Sequence, residues 1–289
     1  MVGTQSTDIE RKIGFAIERM PAFPRSVQRV LELTRDINCR PKDLVGVIEK
    51  DPVMTMRILK VINSAYYALP TRIASVSQSV VYLGINTIKS LSLSVAAAGM
   101  LPNSNLAGFD TRRYLIHSLA TAGVARQLCM SVGHEDNDAG DSYVVGLLHD
   151  FGKVVFSQSF AADFRKALAL SAEEGIPLHE AERRLIGIDH AQVGAMLVAK
   201  WTFPAAIVEC IRDHHTSGVA SSVLRDSLLV ADQICRGLTK EDIPVDWEGR
   251  SPDGTTRFGD NMASIIDKLG NLKKIIDEAR DFAQVEHSK

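Results

Sequence analysis

The sequence lacks most features that mark secreted, disulfide-bonded or membrane-spanning proteins. Its four cysteines, Cys39, Cys129, Cys210 and Cys235, are far apart and form no CxxC pair, so a structural role as reduced thiols is expected. The longest weakly polar run, residues 90–101, is too short to cross a bilayer and is interrupted by serines. The N-terminus has no apolar signal-peptide core, and we therefore expect a cytoplasmic protein.

An excess of basic charge is also missing, which argues against a nucleic-acid partner. The 289 residues carry a formal net charge of −2, whereas nucleic-acid-binding proteins usually show a basic excess or a basic stripe. Hydrophobic residues make up 45% and charged residues 24% of the chain, which is the balance of an ordinary globular protein with a sizeable core. We expect neither a nucleic-acid nor a membrane partner, and the sequence does not specify the oligomeric state.

Helical punctuation recurs along the chain without convincing strand alternation, so the sequence predicts an all-α fold. Pro41 and Pro52 suit the first turn of a helix, where a missing amide costs nothing. Asp189 is a strong N-cap for a helix that begins at His190, and Gly152 is interpreted as a helix stop. The predicted helices span residues 8–19, 25–36, 41–50, 53–66, 76–100, 111–132, 141–150, 159–174, 178–186, 190–200, 204–215, 221–238 and 259–284.

Two loop-like segments divide the chain. Residues 101–108 are rich in turn formers, and residues 243–260 precede a last amphipathic helix. We therefore predict an N-terminal helical lobe over residues 1–105, a second helical lobe over 106–240, and a loop with a C-terminal helix over 241–289. The apolar stripe of that helix is expected to dock on the body of the protein, with a partner-binding face as the alternative.

An ordered series of histidines and aspartates carries the chemical signal. The series comprises His117, His149, Asp150, His190, His214, His215 and Asp232. Imidazoles and carboxylates from different helices can converge in a bundle core and bind divalent cations. Mixed nitrogen and oxygen ligation suits iron, manganese, zinc or nickel better than calcium. Each residue alone would more often be an ordinary core or surface residue, so it is the order of the whole set that indicates a site.

Other catalytic motifs are incomplete or missing. The run GLLHDFGK, residues 146–153, superficially resembles a phosphate-binding loop. It has one residue too many between its glycines, and no Ser or Thr follows Lys153. The patterns HExxH, GxSxG and GxGxxG do not occur, and no serine lies in a nucleophile-elbow context. The histidine–aspartate series is therefore the main candidate site.

The span from about Met20 to Arg236 resembles an HDOD domain, a relative of the HD and HD-GYP domains. In the N-terminal half the resemblance rests on MPAFPRSVQRVLEL, IEKDPVMTMRILKVINSAYYALP and RIASVSQSVVYLGINTIKSLSLS, with the DP, NSA and LG groups typical of the class. In the C-terminal half it rests on GLLHDFGKVVF, GIDHAQVGAMLVAKWTFP and IRDHH. The resemblance implies an all-α fold with two helical lobes and a regulatory output role in bacterial signal transduction. The implied partners are other signalling proteins of the receiver, diguanylate cyclase or kinase type.

The resemblance also implies roles for individual residues. The residues that match the HD metal ligands are His117, the doublet His149 and Asp150, His190, the pair His214 and His215, and Asp232. They would hold one or two divalent ions of iron, manganese or zinc. Lys153 matches the lysine after the doublet and would be the catalytic residue that stabilises phosphate charge. No GYP motif follows the histidine pair, which argues against hydrolysis of cyclic di-GMP.

Three functions are compatible with these observations. We favour a non-catalytic regulatory module that acts through protein–protein contacts. The alternatives are a metal-dependent phosphohydrolase or phosphodiesterase of the HD type, and a sensor of a metal or ligand without turnover. A phosphodiesterase needs cationic groups for its substrate, and beyond Lys153 and Arg212 the motifs offer few. No receiver domain precedes the module in this sequence, which leaves open a stand-alone protein or a piece of a longer chain.

Overall fold

The computed structural model describes residues 2–35, 39–64, 67, 71–102, 107–133, 136–238, 257–259, 261–270 and 272–287. Within these residues the regular structure is helical and contains no strand, as predicted. The helices are α1 (Val2–Arg19), α2 (Arg25–Arg35), α3 (Pro41–Glu49), α4 (Pro52–Ile62), α5 (Val76–Leu83), α6 (Ile85–Gly99), α7 (Thr111–Ser131), α8 (Asp136–Leu148), α9 (Gly152–Ser159), α10 (Ala161–Glu174), α11 (Leu178–Leu185), α12 (His190–Lys200), α13 (Ala205–Arg212), α14 (Val223–Leu238), α15 (Met262–Leu269) and α16 (Leu272–His287).

Several helices begin where the chemistry of their first residues predicts. Pro41 and Pro52 are the first residues of α3 and α4. The side chain of Asp51 caps α4 by accepting from the amide of Met54 at 3.0 Å. Asp189 caps α12 in the same way. Each carboxylate satisfies an amide that the first turn of a helix leaves without an intrahelical partner.

Two helices that the sequence predicts as continuous are broken by glycines. The predicted helix 76–100 is α5 followed by α6, separated at Gly84, which has φ +78°. The predicted helix 259–284 is α15 followed by α16, with Gly270 at φ +59° between them. Both glycines adopt a left-handed backbone that other residues rarely tolerate, and this ends the preceding helix.

Gly152 has a different role from the predicted helix stop. It is the first residue of α9, a helix that the sequence prediction missed by starting the next helix at residue 159. A β-carbon built on Gly152 would lie 2.0 Å from the carbonyl oxygen of His190. Only glycine therefore allows the backbone of α9 to approach α12 this closely, and this approach places Asp150 beside His190.

Helix α7 is the central element of the described core and packs against α8, α14 and α16. The α7–α8 contact is close because Gly146 of α8 lies against the backbone of Ala122. A β-carbon built on Gly146 would lie 2.6 Å from the Cα atom of Ala122. Helix α1 packs against α12 and α9. There the indole nitrogen of Trp201 donates to the carbonyl of Pro21 at 3.0 Å.

The C-terminal helix docks on the body, as expected. Phe282 and Ala283 of α16 are buried, and Ile275 packs against α7 at Gly123. The predicted boundaries at residues 105 and 240 and most of the predicted loop 243–260 lie outside the described residues, so the division into three parts stays a prediction. None of the described helices is both long enough and apolar enough to cross a membrane.

Candidate metal centre

The structure brings the seven predicted ligand residues into one cluster. Their positions are His117 in the middle of α7, His149 and Asp150 in the turn between α8 and α9, His190 at the start of α12, His214 and His215 after α13, and Asp232 on α14. Possible ligand atoms of His117, His149 and Asp150 lie within 4.8 Å of one another, as do those of a second group that shares Asp150. The cluster thus combines residues from inside α7 and α14 with residues from the ends of the other helices. Their assignment as ligands stays a prediction.

Asp150 is the residue that joins the two groups. Its Oδ2 lies 3.4 Å from Nε2 of His149 and 3.8 Å from Nε2 of His117. Its Oδ1 lies 3.1 Å from Nε2 of His190 and 3.8 Å from Nε2 of His214. The two oxygens of one carboxylate thus face two different sets of imidazoles.

The remaining members complete the two groups. Oδ1 of Asp232 lies 3.1 Å from Nε2 of His117 and 3.6 Å from Nε2 of His149. Nε2 of His215 lies 2.9 Å from Nε2 of His190. The first group is therefore His117, His149, Asp150 and Asp232, and the second is Asp150, His190, His214 and His215.

Three of the imidazoles are oriented by protein acceptors on their outer nitrogen. The Nδ1–H groups donate as follows: His149 to the carbonyl of Gly146 at 2.9 Å, His214 to the carbonyl of Ile211 at 2.6 Å, and His190 to Oε2 of Glu182 at 2.6 Å. A neutral imidazole that donates through Nδ1 keeps its lone pair on Nε2. When the three rings are neutral, their Nε2 lone pairs therefore face Asp150, which is the arrangement that metal-binding histidines use.

Unsatisfied buried atoms show that the cluster fits a cation. Nε2 of His149 and Nε2 of His214 are buried and have no hydrogen-bond partner among the described residues. A buried polar atom without a partner is unfavourable, and such atoms are rare in folded proteins. A divalent ion in either group would satisfy the nitrogen that belongs to that group, and the mixture of imidazole nitrogens and carboxylate oxygens suits iron, manganese or zinc. The cluster could therefore hold a metal ion.

The charges of the cluster also favour ligation. Burial opposes ionisation of Asp150, but the charges of His149 and Lys153 hold its pKa well below the ordinary value. Burial opposes ionisation of Asp232 too, and Arg236 outweighs it, so this pKa is also well below the ordinary value. Burial holds the pKa of His214 well below its ordinary value. Metals bind carboxylates and neutral imidazoles, so Asp150, Asp232 and His214 are already in the required forms at neutral pH. Burial lowers the pKa of His149, but Asp150 and Asp232 outweigh it and raise this pKa to about 9, so metal binding would displace a proton from that ring.

Two cations border the cluster, and one of them was predicted. Nζ of Lys153, the predicted catalytic residue, lies 2.5 Å from Oδ2 of Asp150. Arg236, which sequence reasoning missed, lies 2.6 Å from Oδ2 of Asp232. The available signal was its position four residues after Asp232, where residues share one helix face. Arg212, the other cation named from the motifs, is half-exposed and pairs with the neighbouring Asp213 at 2.7 Å instead.

Helix α11 supplies a layer of contacts behind the cluster that sequence reasoning also missed. The ring of His179 stacks on His215 with centroids 4.1 Å apart, Glu182 contacts His190, and Arg183 pairs with Asp189 at 2.5 Å. These three α11 residues follow the i, i+3, i+4 spacing of one helix face. The spacing could be read from the sequence. The sequence does not show, however, that this face of α11 packs against His190 and His215.

Five of the seven residues of the cluster are buried, and His117 and His215 are partly buried. The side chains of His149, Asp150, His190 and His214 are at most 2% exposed, and that of His117 is 12% exposed. The side chain of Asp232 is 8% exposed and is ion-paired with Arg236. The ligand groups thus face one another in the interior rather than a surface cleft.

Similar proteins are known for this chain. The HDOD domain family matches residues 20–217. An uncharacterized protein of Treponema pallidum (strain Nichols) is 28% identical over 215 residues, which is 74% of this chain but 41% of that protein. The chain therefore spans about two-fifths of the length of this relative.

Solved structures share the fold. A proposed signal transduction protein of Marinobacter aquaeolei VT8 has a TM-score of 0.74 at 22% identity, covering 97% of this chain and 66% of its own. A proposed phosphohydrolase of Shewanella amazonensis SB2B has a TM-score of 0.70 at 22% identity, covering 95% and 97%. An HDOD domain protein of unknown function from Geobacter sulfurreducens has a TM-score of 0.69 at 24% identity, covering 96% and 98%. At these identities the likeness concerns the fold alone.

Proposed function

The chain belongs to the HDOD domain family, and on that premise we propose that it is a regulatory module of signal transduction with a closed, non-hydrolytic metal centre. Its partners would be other signalling proteins of the receiver, diguanylate cyclase or kinase type. The related fold of the Marinobacter aquaeolei VT8 protein, named for signal transduction, supports this class of role. The metal would serve the structure or the regulation of the module.

The enclosure of the cluster is the observation that carries this proposal. A phosphohydrolase must bring a substrate phosphate to its metal and needs cationic groups that bind the phosphate. Here five of the seven ligand side chains are buried, and His117 and His215 are partly buried. Both bordering cations pair with carboxylates of the cluster. Lys153 pairs with Asp150 and Arg236 with Asp232, so neither cation is directed towards a substrate.

The chain's own residues give a bound ion a structural task. When bound, a divalent ion supplies positive charge and fixed coordination that offset the buried carboxylates. The ligand residues come from α7, the α8–α9 turn, α12, the segment after α13, and α14. An ion that binds these residues would fix the relative positions of the helices that carry them. Loss of the ion would weaken the packing among all of these helices.

An HD-type phosphohydrolase is the second candidate, and one feature favours it. The ligand set is complete, and Lys153 lies beside the shared carboxylate of Asp150. In this function the metal would polarise a phosphoryl oxygen and activate water, while Lys153 would stabilise the developing phosphate charge. Arg236 would have to move away from Asp232 to open the cluster. The name of the Shewanella amazonensis SB2B protein with the same fold agrees with this alternative.

Metal content and turnover measured on the same samples test the proposal. The protein is purified without chelator or nickel resin, and metal per chain is measured by elemental mass spectrometry for wild type, Asp150→Asn and Asp163→Asn. Asp163 is a matched control because it is half-exposed on α10 and forms an ion pair with the exposed Lys166. We expect iron, manganese or zinc near stoichiometry in wild type and in the control, with loss in Asp150→Asn.

The same preparations are then offered a panel of phosphomonoesters, phosphodiesters and nucleotides. We expect no turnover from any of them. Turnover that follows the metal content across the three proteins would refute the non-hydrolytic centre and support the HD-type hydrolase. A folded wild type that takes up no metal even after supplementation would refute the metal centre itself.

A further inference from the structure

Glu182 is a buried carboxylate that the predicted ligand set does not include. It lies on α11 and is fully buried. Its Oε2 accepts from the backbone N–H of His190 at 2.8 Å and from Nδ1–H of the same residue at 2.6 Å. We propose that Glu182 is the positioning residue that fixes the orientation and tautomer of His190 for metal ligation. This inference rests on the metal centre of the proposed function.

The two bonds to one oxygen hold His190 at both its ring and its backbone. His190 is the first residue of α12, so its amide has no partner within the helix. Glu182 satisfies that amide and, with the same oxygen, the outer nitrogen of the ring. Backbone and ring are therefore held relative to each other, which leaves the imidazole little freedom to turn about its side-chain bonds.

The direction of the ring follows from this contact. Because Nδ1–H donates to Glu182, the lone pair of a neutral His190 is on Nε2. That nitrogen lies 3.1 Å from Oδ1 of Asp150 and 2.9 Å from Nε2 of His215. Without the acceptor, the ring could place its proton on Nε2 and donate to Asp150, and this tautomer has no lone pair for a metal at that position.

Glu182 also differs from the acceptors of the other two oriented rings. His149 and His214 donate to neutral backbone carbonyls, whereas His190 donates to a carboxylate. A charged acceptor makes a stronger hydrogen bond and increases the basicity of the ligating nitrogen. A buried charge is costly unless it is paired, so a carboxylate at this place is best explained by the imidazole and the cation beyond it.

Arg183, the next residue of α11, provides a matched control. It pairs with Asp189, the N-cap of α12, at 2.5 Å, and its side chain is 46% exposed. The substitution Arg183→Met therefore loosens the same pair of helices without touching the imidazole. A general role of α11 in packing predicts similar defects from both positions, whereas a positioning role predicts a defect from Glu182 only.

Metal affinity is the first readout. Zinc binding to the metal-free protein is measured by competition with a chelator for wild type, Glu182→Leu, Glu182→Gln and Arg183→Met. We expect affinity to fall about 10- to 100-fold in Glu182→Leu, the usual effect of removing such a partner. Glutamine keeps an oxygen acceptor, so Glu182→Gln should recover most of that loss, and Arg183→Met should remain within a few-fold of wild type.

The tautomer of His190 is the second readout, and it does not depend on metal. Nitrogen NMR of histidine-labelled, metal-free protein at mildly alkaline pH reports which ring nitrogen is protonated, with His190→Gln identifying the signals. We expect Nδ1–H in wild type and Glu182→Gln and its loss in Glu182→Leu. An unchanged tautomer in Glu182→Leu, or equal affinity losses in Glu182→Leu and Arg183→Met, would overturn the inference. If wild type binds no zinc, the metal centre fails, and the tautomer still decides the role of Glu182.

Discussion

The close approach of α9 and α12 at Gly152 gives the sharpest structural prediction. In Gly152→Ala the new β-carbon would lie 2.0 Å from the carbonyl oxygen of His190 and 2.9 Å from the amide nitrogen of Gly194. Both obstacles are backbone atoms, so no rotamer change relieves the contact and the two helices must separate. The substitution adds one methyl group, so apart from the helix preference of alanine its effect reports the distance between the two helices.

The cost can be estimated from overpacking in protein cores. Extra methyl groups in well-packed cores typically destabilise by about 1–3 kcal/mol, and the backbone obstacles place Gly152→Ala at or above the upper end. At roughly 2–4 °C per kcal/mol for domains of 150–250 residues, about 3 kcal/mol corresponds to a fall in Tm of about 6–12 °C. The separation should also move His190 away from Asp150, so metal per chain should fall as well.

Gly46→Ala is the control for this experiment. Gly46 lies inside α3, and a β-carbon there meets nothing within 4 Å. This substitution should stabilise the protein by about 0.5–1 kcal/mol because alanine favours helix. Thermal and denaturant unfolding of both variants measure the difference. A Gly152→Ala protein as stable as wild type, with full metal content, would show that α9 and α12 are not in backbone contact.

Three further predictions concern thiols, the C-terminal helix and the metal. Burial raises the pKa of Cys129, and it raises that of Cys210 and of Cys235 to about 12. Native protein should therefore be alkylated at the partly exposed Cys39, with the other three cysteines modified only after unfolding; mass spectrometry of the labelled peptides checks this. In Gly123→Val, new side-chain atoms would clash with Ile275, since even a β-carbon built on Gly123 lies 2.6 Å from Cγ2 of Ile275. Helix α16 should therefore undock and be cleaved faster in limited proteolysis. An unchanged cleavage rate would contradict the docked position. Zinc at 100 times its Kd should stabilise the metal-free protein by about 2.7 kcal/mol, and a zinc-independent Tm would contradict binding to the folded state.

Features set by local chemistry were the ones that could be predicted from the sequence. Asp51, Pro52 and Asp189 act within one turn of their own helix, so their positions alone indicate where α4 and α12 begin. The ligand residues were identifiable because a series of histidines and aspartates in this order is seldom explained by packing or solvation alone. Their convergence followed from the family resemblance, since no single-sequence pattern contains the distance between α7 and α14.

Features set by packing between helices could not be predicted in the same way. Gly152 was misjudged because a glycine at a helix stop and a glycine at a backbone crossing look identical in sequence. The partner that distinguishes them, the carbonyl of His190, is 38 residues away. Glu182 is a similar case, because an acidic residue on a polar helix is ordinarily solvated. Its role depends on the docking of α11 against the start of α12.

The charges around the cluster bear on whether one ion or two would occupy it. Asp150, Asp232 and Glu182 are three buried carboxylates, and Lys153 and Arg236 already pair with the first two. With neutral imidazoles, this leaves one negative charge in excess, which one divalent ion more than offsets. A second ion would add further positive charge to a buried site whose two ligand groups share the carboxylate of Asp150. This excess would be relieved only if Lys153 or Arg236 moved into solvent. We therefore expect one tightly held ion per chain, and a content of two would imply that these ion pairs open when metal binds.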